Sequence, residues 1–260
     1  MERLKQAMER ARAERQRLNQ PPPLQVSSRE PPVPIPSREP SKAPPGKTEV
    51  AGVHEDAADA YKILRTQILH RMRAKSLRTL AITSPGIGDG KTRTAINLAI
   101  RLARDVNQSV LLVDFDLKHP AIGRYFMSRD ALGLIEYLNG DVELSDVLIN
   151  PGIERLVILP GGKRIRHSSE LISSPCVGPL VEELKRHDED RLILFDMPPL
   201  FAGDDVIAFL PYVDAVMLVV ADGKVSREQL AHASELLGDT CIGMVLNKAE
   251  SGSAPPGYGY

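Results

Sequence analysis

The sequence predicts an α/β fold, a doubly wound parallel sheet with helices on both faces. Three observations carry that prediction. The strand-like runs, Val110-Leu111-Leu112-Val113 and Ala215–Val220 among them, are apolar throughout instead of alternating, as strands covered on both faces are. Helical segments separate these runs, which implies parallel pairing through right-handed crossovers. A glycine-rich turn, Ser84-Pro85-Gly86-Ile87-Gly88-Asp89-Gly90-Lys91-Thr92, follows the apolar strand Leu80-Ala81-Ile82-Thr83 and opens a helix. Unpaired amides and the positive end of the dipole make such a helix start a binding place for anions.

In order, the pattern predicts a helix over 56–75, a strand over 77–83 and a helix over 91–105, whose stretch from Thr94 to Ala103 reads as buried. A strand over 109–114 follows, then short helices over 134–138 and 144–149 and a strand over 156–159 ending at Pro160-Gly161-Gly162. The remainder reads helix 175–187, strand 192–195, helix 204–210, strand 215–220, helix 226–237 and strand 242–246. This arrangement occupies 53–248, enough chain for one domain with a proper core. Ahead of it, residues 1–19 are rich in Ala, Arg and Glu, and Leu4, Met8, Ala11 and Leu18 roughly share one helical face. Residues 20–52 form a Pro-rich linker that has no core to pack, and ten of the chain's 21 prolines fall within 20–46. Residues 249–260 lack apolar periodicity and read as a flexible tail carrying Tyr258 and Tyr260.

A net charge of −1 over 260 residues gives no nucleic-acid footprint. The chain holds no run of 18 apolar residues and no signal-peptide core, so a cytoplasmic protein is expected. Cys176 and Cys241 sit in apolar surroundings without metal-like spacing and read as buried free thiols.

The glycine-rich turn is a phosphate-binding loop in which Lys91 reaches the β- and γ-phosphates of a nucleotide and the Thr92 hydroxyl binds Mg²⁺. It departs from the strict pattern in having Pro85 where a glycine is usual. Two acidic motifs, Val113-Asp114-Phe115-Asp116-Leu117-Lys118 and Leu194-Phe195-Asp196-Met197-Pro198-Pro199, sit at the ends of apolar strands. A parallel sheet brings them to the loop's edge, where one Asp can hold Mg²⁺ through water and another can orient or deprotonate the attacking oxygen. A single strand-end Asp is as readily a turn or cap residue. Two such motifs beside a phosphate loop weigh heavily against that reading.

Together the motifs resemble those of the bacterial tyrosine kinases, polysaccharide-locus autokinases built on a P-loop ATPase fold. That family carries a Walker A loop Ser-x-x-Pro-Gly-Glu-Gly-Lys-Ser, a Walker A′ motif Asp-x-Asp-x-Arg and a Walker B motif Asp-x-Pro-Pro. Here Gly88-Asp89-Gly90-Lys91-Thr92 is similar to the first, Asp114-Phe115-Asp116-Leu117-Lys118 to the second with Lys118 for Arg, and Asp196-Met197-Pro198-Pro199 matches the third. The resemblance covers roughly 55–250. It implies a protein-tyrosine kinase that uses ATP and Mg²⁺ and releases ADP. Gly86, Gly88, Asp89, Gly90, Lys91, Thr92, Arg93 and Asn247 would contact the nucleotide, and Thr92, Asp114 and Asp196 the metal. Lys91, Asp114, Asp116 and Asp196 would be catalytic, with Asp114 the first choice as base and Asp116 the second. Tyr258 and Tyr260 would be phosphoacceptors. Asp59, Lys62 and Arg65 echo the family's Glu-x-x-Arg-x-x-Arg self-assembly helix, and a ring of subunits follows from that. The implied partners are the cytoplasmic tail of a transmembrane polysaccharide chain-length regulator, which places the kinase at the inner face of the plasma membrane, and a cognate tyrosine phosphatase.

Two other readings stay open. Partitioning and division-site ATPases carry an extra lysine five residues before the loop lysine, a place held here by Gly86, and lack the Asp-x-Pro-Pro signature with a tyrosine tail. A nucleotide-binding scaffold of an export complex would keep the motifs without phosphorylating tyrosine. The basic run Lys163-Arg164-Ile165-Arg166-His167 lies on the same edge and reads as a solvated loop or a phosphate contact.

Overall fold

A computed structural model describes residues 55–249, except 106–107, 127–131, 167, 187 and 189. The expected helix over 1–19, the Pro-rich linker over 20–52 and the acceptors Tyr258 and Tyr260 lie outside the described residues.

All the expected strands form: β1 (Thr79–Thr83), β2 (Val110–Asp114), β3 (Leu156–Leu159), β4 (Leu192–Asp196), β5 (Ala215–Ala221) and β6 (Cys241–Asn247). They make one parallel sheet in the order β3-β2-β4-β1-β5-β6. The chain leaves β1 toward β2 on one side and leaves β4 toward β5 on the other, so the order reverses between β1 and β4. Such a switch point opens a crevice at the carboxyl ends of its strands.

Alternate strand residues feed two cores. Leu80, Ile82, Leu112, Leu194 and Met217 pack with α1 (Glu55–Ala74), α2 (Lys91–Ala103) and Ile122 of α3 (Ile122–Phe126). Ala81, Leu111, Val113, Phe195 and Leu218 face the other way. There they meet α4 (Leu134–Leu138), α5 (Leu144–Val147), α6 (Ser168–Ile172), α7 (Val177–Arg186), α8 (Asp205–Phe209) and α9 (Arg227–Leu237). Helix α2 is buried nearly all round, because Ile68, Leu69 and Met72 of α1 cover the side that the sheet does not. Each such Leu or Ile contributes about 1.5–3 kcal/mol by leaving water. Helix α9 starts on a capping box, Ser226 Oγ accepting from Gln229 N while Gln229 Oε1 accepts from Ser226 N, and stops at Gly238 in the left-handed region.

The structure corrects the sequence reading in four places. Helices α3 and α6 are not among the expected elements, and carboxylates from elsewhere in the chain bond at their starts: Asp114 accepts from Ala121 and Ile122 N–H, and Asp205 from Ser168 Oγ. Helix α5 ends at Val147, and Ile149 pairs antiparallel with Ile158. Leu77 belongs to the turn after α1, its N–H bonding Met72 O. Cys176 and Cys241 are free, as expected, but half-buried.

Candidate active site

The carboxyl edge collects the acidic motifs because of register. Asp114 and Asp196 are direct partners across β2 and β4, and Ile82, next to the phosphate loop, pairs with Asp196 across β1 and β4. The loop runs from Ser84 into α2, whose first residue is Lys91. Lys91 Nζ sits 2.8 Å from Asp116 Oδ2, 3.3 Å from Thr92 Oγ1 and 3.7 Å from Asp196 Oδ1. Lys91, Thr92, Asp114, Asp116 and Asp196 thus form one cluster, and Arg93 stands exposed in the first turn of α2.

The acids are buried and incompletely satisfied. Asp114 spends Oδ2 on Ala121 and Ile122 N–H at 2.8 and 2.9 Å, while its Oδ1 has no hydrogen-bond partner. Neither carboxylate oxygen of Asp196 has one. Burial lifts the Asp114 carboxyl to about 7, with the Asp196 charge adding to it and the two amides opposing. Burial lifts Asp196 to about 6 against the pull of Lys91. Lys91 is held above its ordinary value: burial opposes its charge, but Asp196 and Asp116 outweigh that. Unpartnered carboxylate oxygens facing a threonine hydroxyl are the hard donors that a divalent cation takes. The residues present therefore fit Mg²⁺.

The loop is braced from the β5–β6 side. Asn247 Nδ2 donates to Asp89 O at 2.7 Å, and Lys248 Nζ to Gly88 O at 2.7 Å. Lys224 Nζ donates to Ile87 O at 2.5 Å and stands 3.1 Å from Asp89 Oδ1. Asp89 Oδ2 in turn accepts from Gly86 N–H at 2.9 Å, so the Asp89 side chain shapes the loop from within. Gly90 has φ of 101°, and a Cβ there would lie 2.1 Å from Asn247 Nδ2. Only glycine fits that turn. The bracing roles of Lys224 and Lys248 were missed by sequence reasoning.

Behind the acids lies an aromatic trio. Phe115, between Asp114 and Asp116, packs on Phe209 of α8 at 4.4 Å, and Phe209 on Phe195 at 4.9 Å, next to Asp196. Gly161 completes the wall, since a Cβ there would meet Pro120 at 2.8 Å and Asp114 Cγ at 3.4 Å. Of the basic run, Arg164 contacts His119 Nε2 at 2.9 Å, and Ile165 N–H bonds Leu117 O at 3.0 Å. On α1, Lys62 pairs with Asp59 at 2.8 Å on an exposed face, with Arg65 three residues on. Among the described residues no helix is long and apolar enough to cross a membrane.

No protein-family model matches the chain. It is 30% identical over 198 residues to the tyrosine-protein kinase CpsD of Streptococcus pneumoniae serotype 4, covering 75% of this chain and 85% of that one. It is 29% identical over 199 residues to the succinoglycan biosynthesis transport protein ExoP of Rhizobium meliloti, covering 74% of this chain and 25% of that one. The kinase domain of Escherichia coli tyrosine kinase ETK superposes with a TM-score of 0.68 at 28% identity, covering 78% of this chain and 80% of that one. A sheet with a phosphate loop at its switch point could serve many nucleotide chemistries; the relatives narrow it to one, and this chain belongs to the bacterial tyrosine-kinase family as a protein-tyrosine kinase.

Proposed function

We propose that this kinase moves the γ-phosphoryl group of ATP to tyrosine hydroxyls, Tyr258 and Tyr260 of its own chain among them, within a system for polysaccharide synthesis and export. The observation that carries the reading is the register pairing of Asp114 with Asp196 beside Lys91. The likeness to CpsD and ExoP supports the biological setting.

The loop amides and Lys91 would draw the β- and γ-phosphates to the start of α2. Thr92, Asp114 and Asp196 would hold Mg²⁺, which supplies neutralisation of phosphate charge. Asp114 is less suited to be the base than its place in the motif implies, for it is fully buried and two amides clamp one of its oxygens. Asp116 lies further out along the loop, between Lys91 and the exposed His119, whose N–H bonds its Oδ1 at 3.1 Å. Asp116 is buried too, but it borders the exposed His119, and on that ground we assign it as the base on the acceptor side. It takes the phenolic proton as the tyrosine oxygen bonds to the γ-phosphorus and the bond to the β–γ bridging oxygen breaks, with ADP departing. The ordinary phenol pKa near 10 makes that help necessary. Most of the rate comes from holding the groups in line.

Self-association through the α1 face carrying Asp59, Lys62 and Arg65, docking to the cytoplasmic tail of a transmembrane chain-length regulator, a place at the inner membrane face and reversal by a tyrosine phosphatase belong to the same reading. The test is incubation of the purified chain with labelled ATP and Mg²⁺, with and without that regulator tail, followed by mapping of phosphotyrosine. Label on Tyr258 or Tyr260 that vanishes in Lys91→Ala is expected. ATP hydrolysis without phosphotyrosine on those residues under both conditions would contradict the autokinase reading.

A further inference from the structure

We propose that Asp205, at the start of α8, is a positioning residue for phosphotransfer, acting through Lys118 on the loop that carries Asp116. The inference rests on the reading of Asp116 as the acceptor-side base.

Asp205 is a buried carboxylate gripped from several sides. Ser168 Oγ donates to its Oδ2 at 2.6 Å, Ser169 Oγ donates to its Oδ1, and Lys118 Nζ stands 3.1 Å from Oδ2. Lys118 is the second residue after Asp116, and its ammonium also abuts Gly203, where a Cβ would lie 3.2 Å away. Asp205 thus joins three segments that reach the carboxyl edge separately: the Asp114–Lys118 loop after β2, the start of α6, and the stretch from β4 into α8. The far end of α8 repeats the link with Phe209, which packs against Phe115 and Phe195 beside the acids. A five-residue helix would not hold by its own propensity, so its anchors at both ends fix where it sits.

The arrangement also sorts charge. Lys91 pairs with Asp116 at 2.8 Å, whereas Lys118, two residues on, pairs with Asp205 at 3.1 Å. With Asp205 neutralised, the Lys118 ammonium loses its buried counter-charge, and the loop that carries Asp116 two residues before Lys118 is no longer tied to α8. That would displace Asp116 from its pairing with Lys91 and misplace the base, and small misplacements cost rate far more than binding.

The test compares Asp205→Asn, Lys118→Met, their double variant and Lys118→Arg in the full chain. Phosphorylation of a tyrosine-containing copolymer is measured per folded molecule. Asp205→Asn and Lys118→Met are each expected to lower kcat tenfold or more with KM for ATP within twofold. The double variant should be no worse than about threefold below either single one, since both act through one pairing. Lys118→Arg should recover most of the loss. A kcat for folded Asp205→Asn within twofold of the parent, or losses that multiply in the double variant, would overturn the proposal. If Asp205→Asn does not fold, Lys118→Met against Lys118→Arg decides it, parental kcat in Lys118→Met being the contrary result. An Asp116→Asn protein with parental kcat would overturn the base assignment beneath it, whereas a dead Asp116→Asn beside a fully active Asp205→Asn would overturn the role of Asp205 alone.

Discussion

Aspartates at the two ends of the same sheet live under opposite conditions. At the amino edge Asp214 precedes β5 and accepts from the N–H groups of Arg78 and Thr79 at 2.8 and 2.9 Å, while Thr79 Oγ1 takes the Asp214 N–H at 2.7 Å. Burial pushes its carboxyl upward, but those amides outweigh it and hold it below the usual carboxylate range. At the carboxyl edge Asp114 and Asp196 have oxygens with no hydrogen-bond partner, and burial drives both upward. A carboxylate whose lone pairs are filled by the fold stabilises the fold. Buried carboxylates left with empty lone pairs destabilise it at neutral pH, and such strain collects where a ligand supplies the missing partner.

The largest effect expected is at Lys91. Lys91→Met should lower phosphotransfer by about 10²–10³ in kcat, since in the proposed mechanism it removes the charge that acts on the transferring phosphate. Lys185→Met, near Asp214, should leave kcat within twofold, and steady-state assays of both check the contrast.

Next comes the exchange of activity for stability. Asp196→Asn should cost about 10² in kcat or more and yet raise the unfolding midpoint, because it deletes a fully buried carboxylate whose desolvation outweighs the pull of Lys91 3.7 Å away. Asp214→Asn should do the reverse, losing about 1 kcal/mol of stability in denaturant melts with kcat per folded molecule unchanged. A destabilised Asp196→Asn would break the comparison.

The pH dependence sharpens it. Asp114 and Asp196 have folded-state pKa values of about 7 and about 6, above the ordinary 3.8 of an unfolded chain. The folded state therefore binds more protons between those limits, and stability falls as pH rises. Their contribution is fully present below about pH 4 and lost by about pH 7. In buffer with chelator, unfolding midpoints should drop from pH 5 to pH 8, and the drop should flatten in Asp196→Asn. Asp214, with its lowered value, contributes stability that is present above about pH 4 and is lost only as the pH falls below that.

The smallest effect is at the brace. Asn247→Ala removes one hydrogen bond to Asp89 O and should raise KM for ATP several-fold with kcat within twofold, read by titrating ATP in the same assay.

The sheet was legible because buried parallel strands are written in local sequence: Val110–Val113 and Leu192–Phe195 can hardly be anything else. The acidic pair was legible because each Asp ends such a strand and topology brings the ends together. What sequence could not supply was long-range. Helices α3 and α6 begin where carboxylates eight and 37 residues away in sequence reach them. Lys224 and Lys248 reach the phosphate loop from β5 and β6, a meeting that exists only once the sheet is assembled. Motif order alone favoured Asp114 as base; the amides of Ala121 and Ile122 that clamp it are visible only in three dimensions.

The most direct test of the contrast between the two edges is the unfolding midpoint of the parent, Asp196→Asn and Asp214→Asn chains with ADP, in Mg²⁺ and in chelator. Ligand at a hundredfold excess over its dissociation constant stabilises by about 2.7 kcal/mol. Mg²⁺ should raise the midpoint of the parent and of Asp214→Asn by several degrees and leave Asp196→Asn nearly unmoved. An equal rise in all three would mean that the unpartnered acids at the carboxyl edge do not hold the cation.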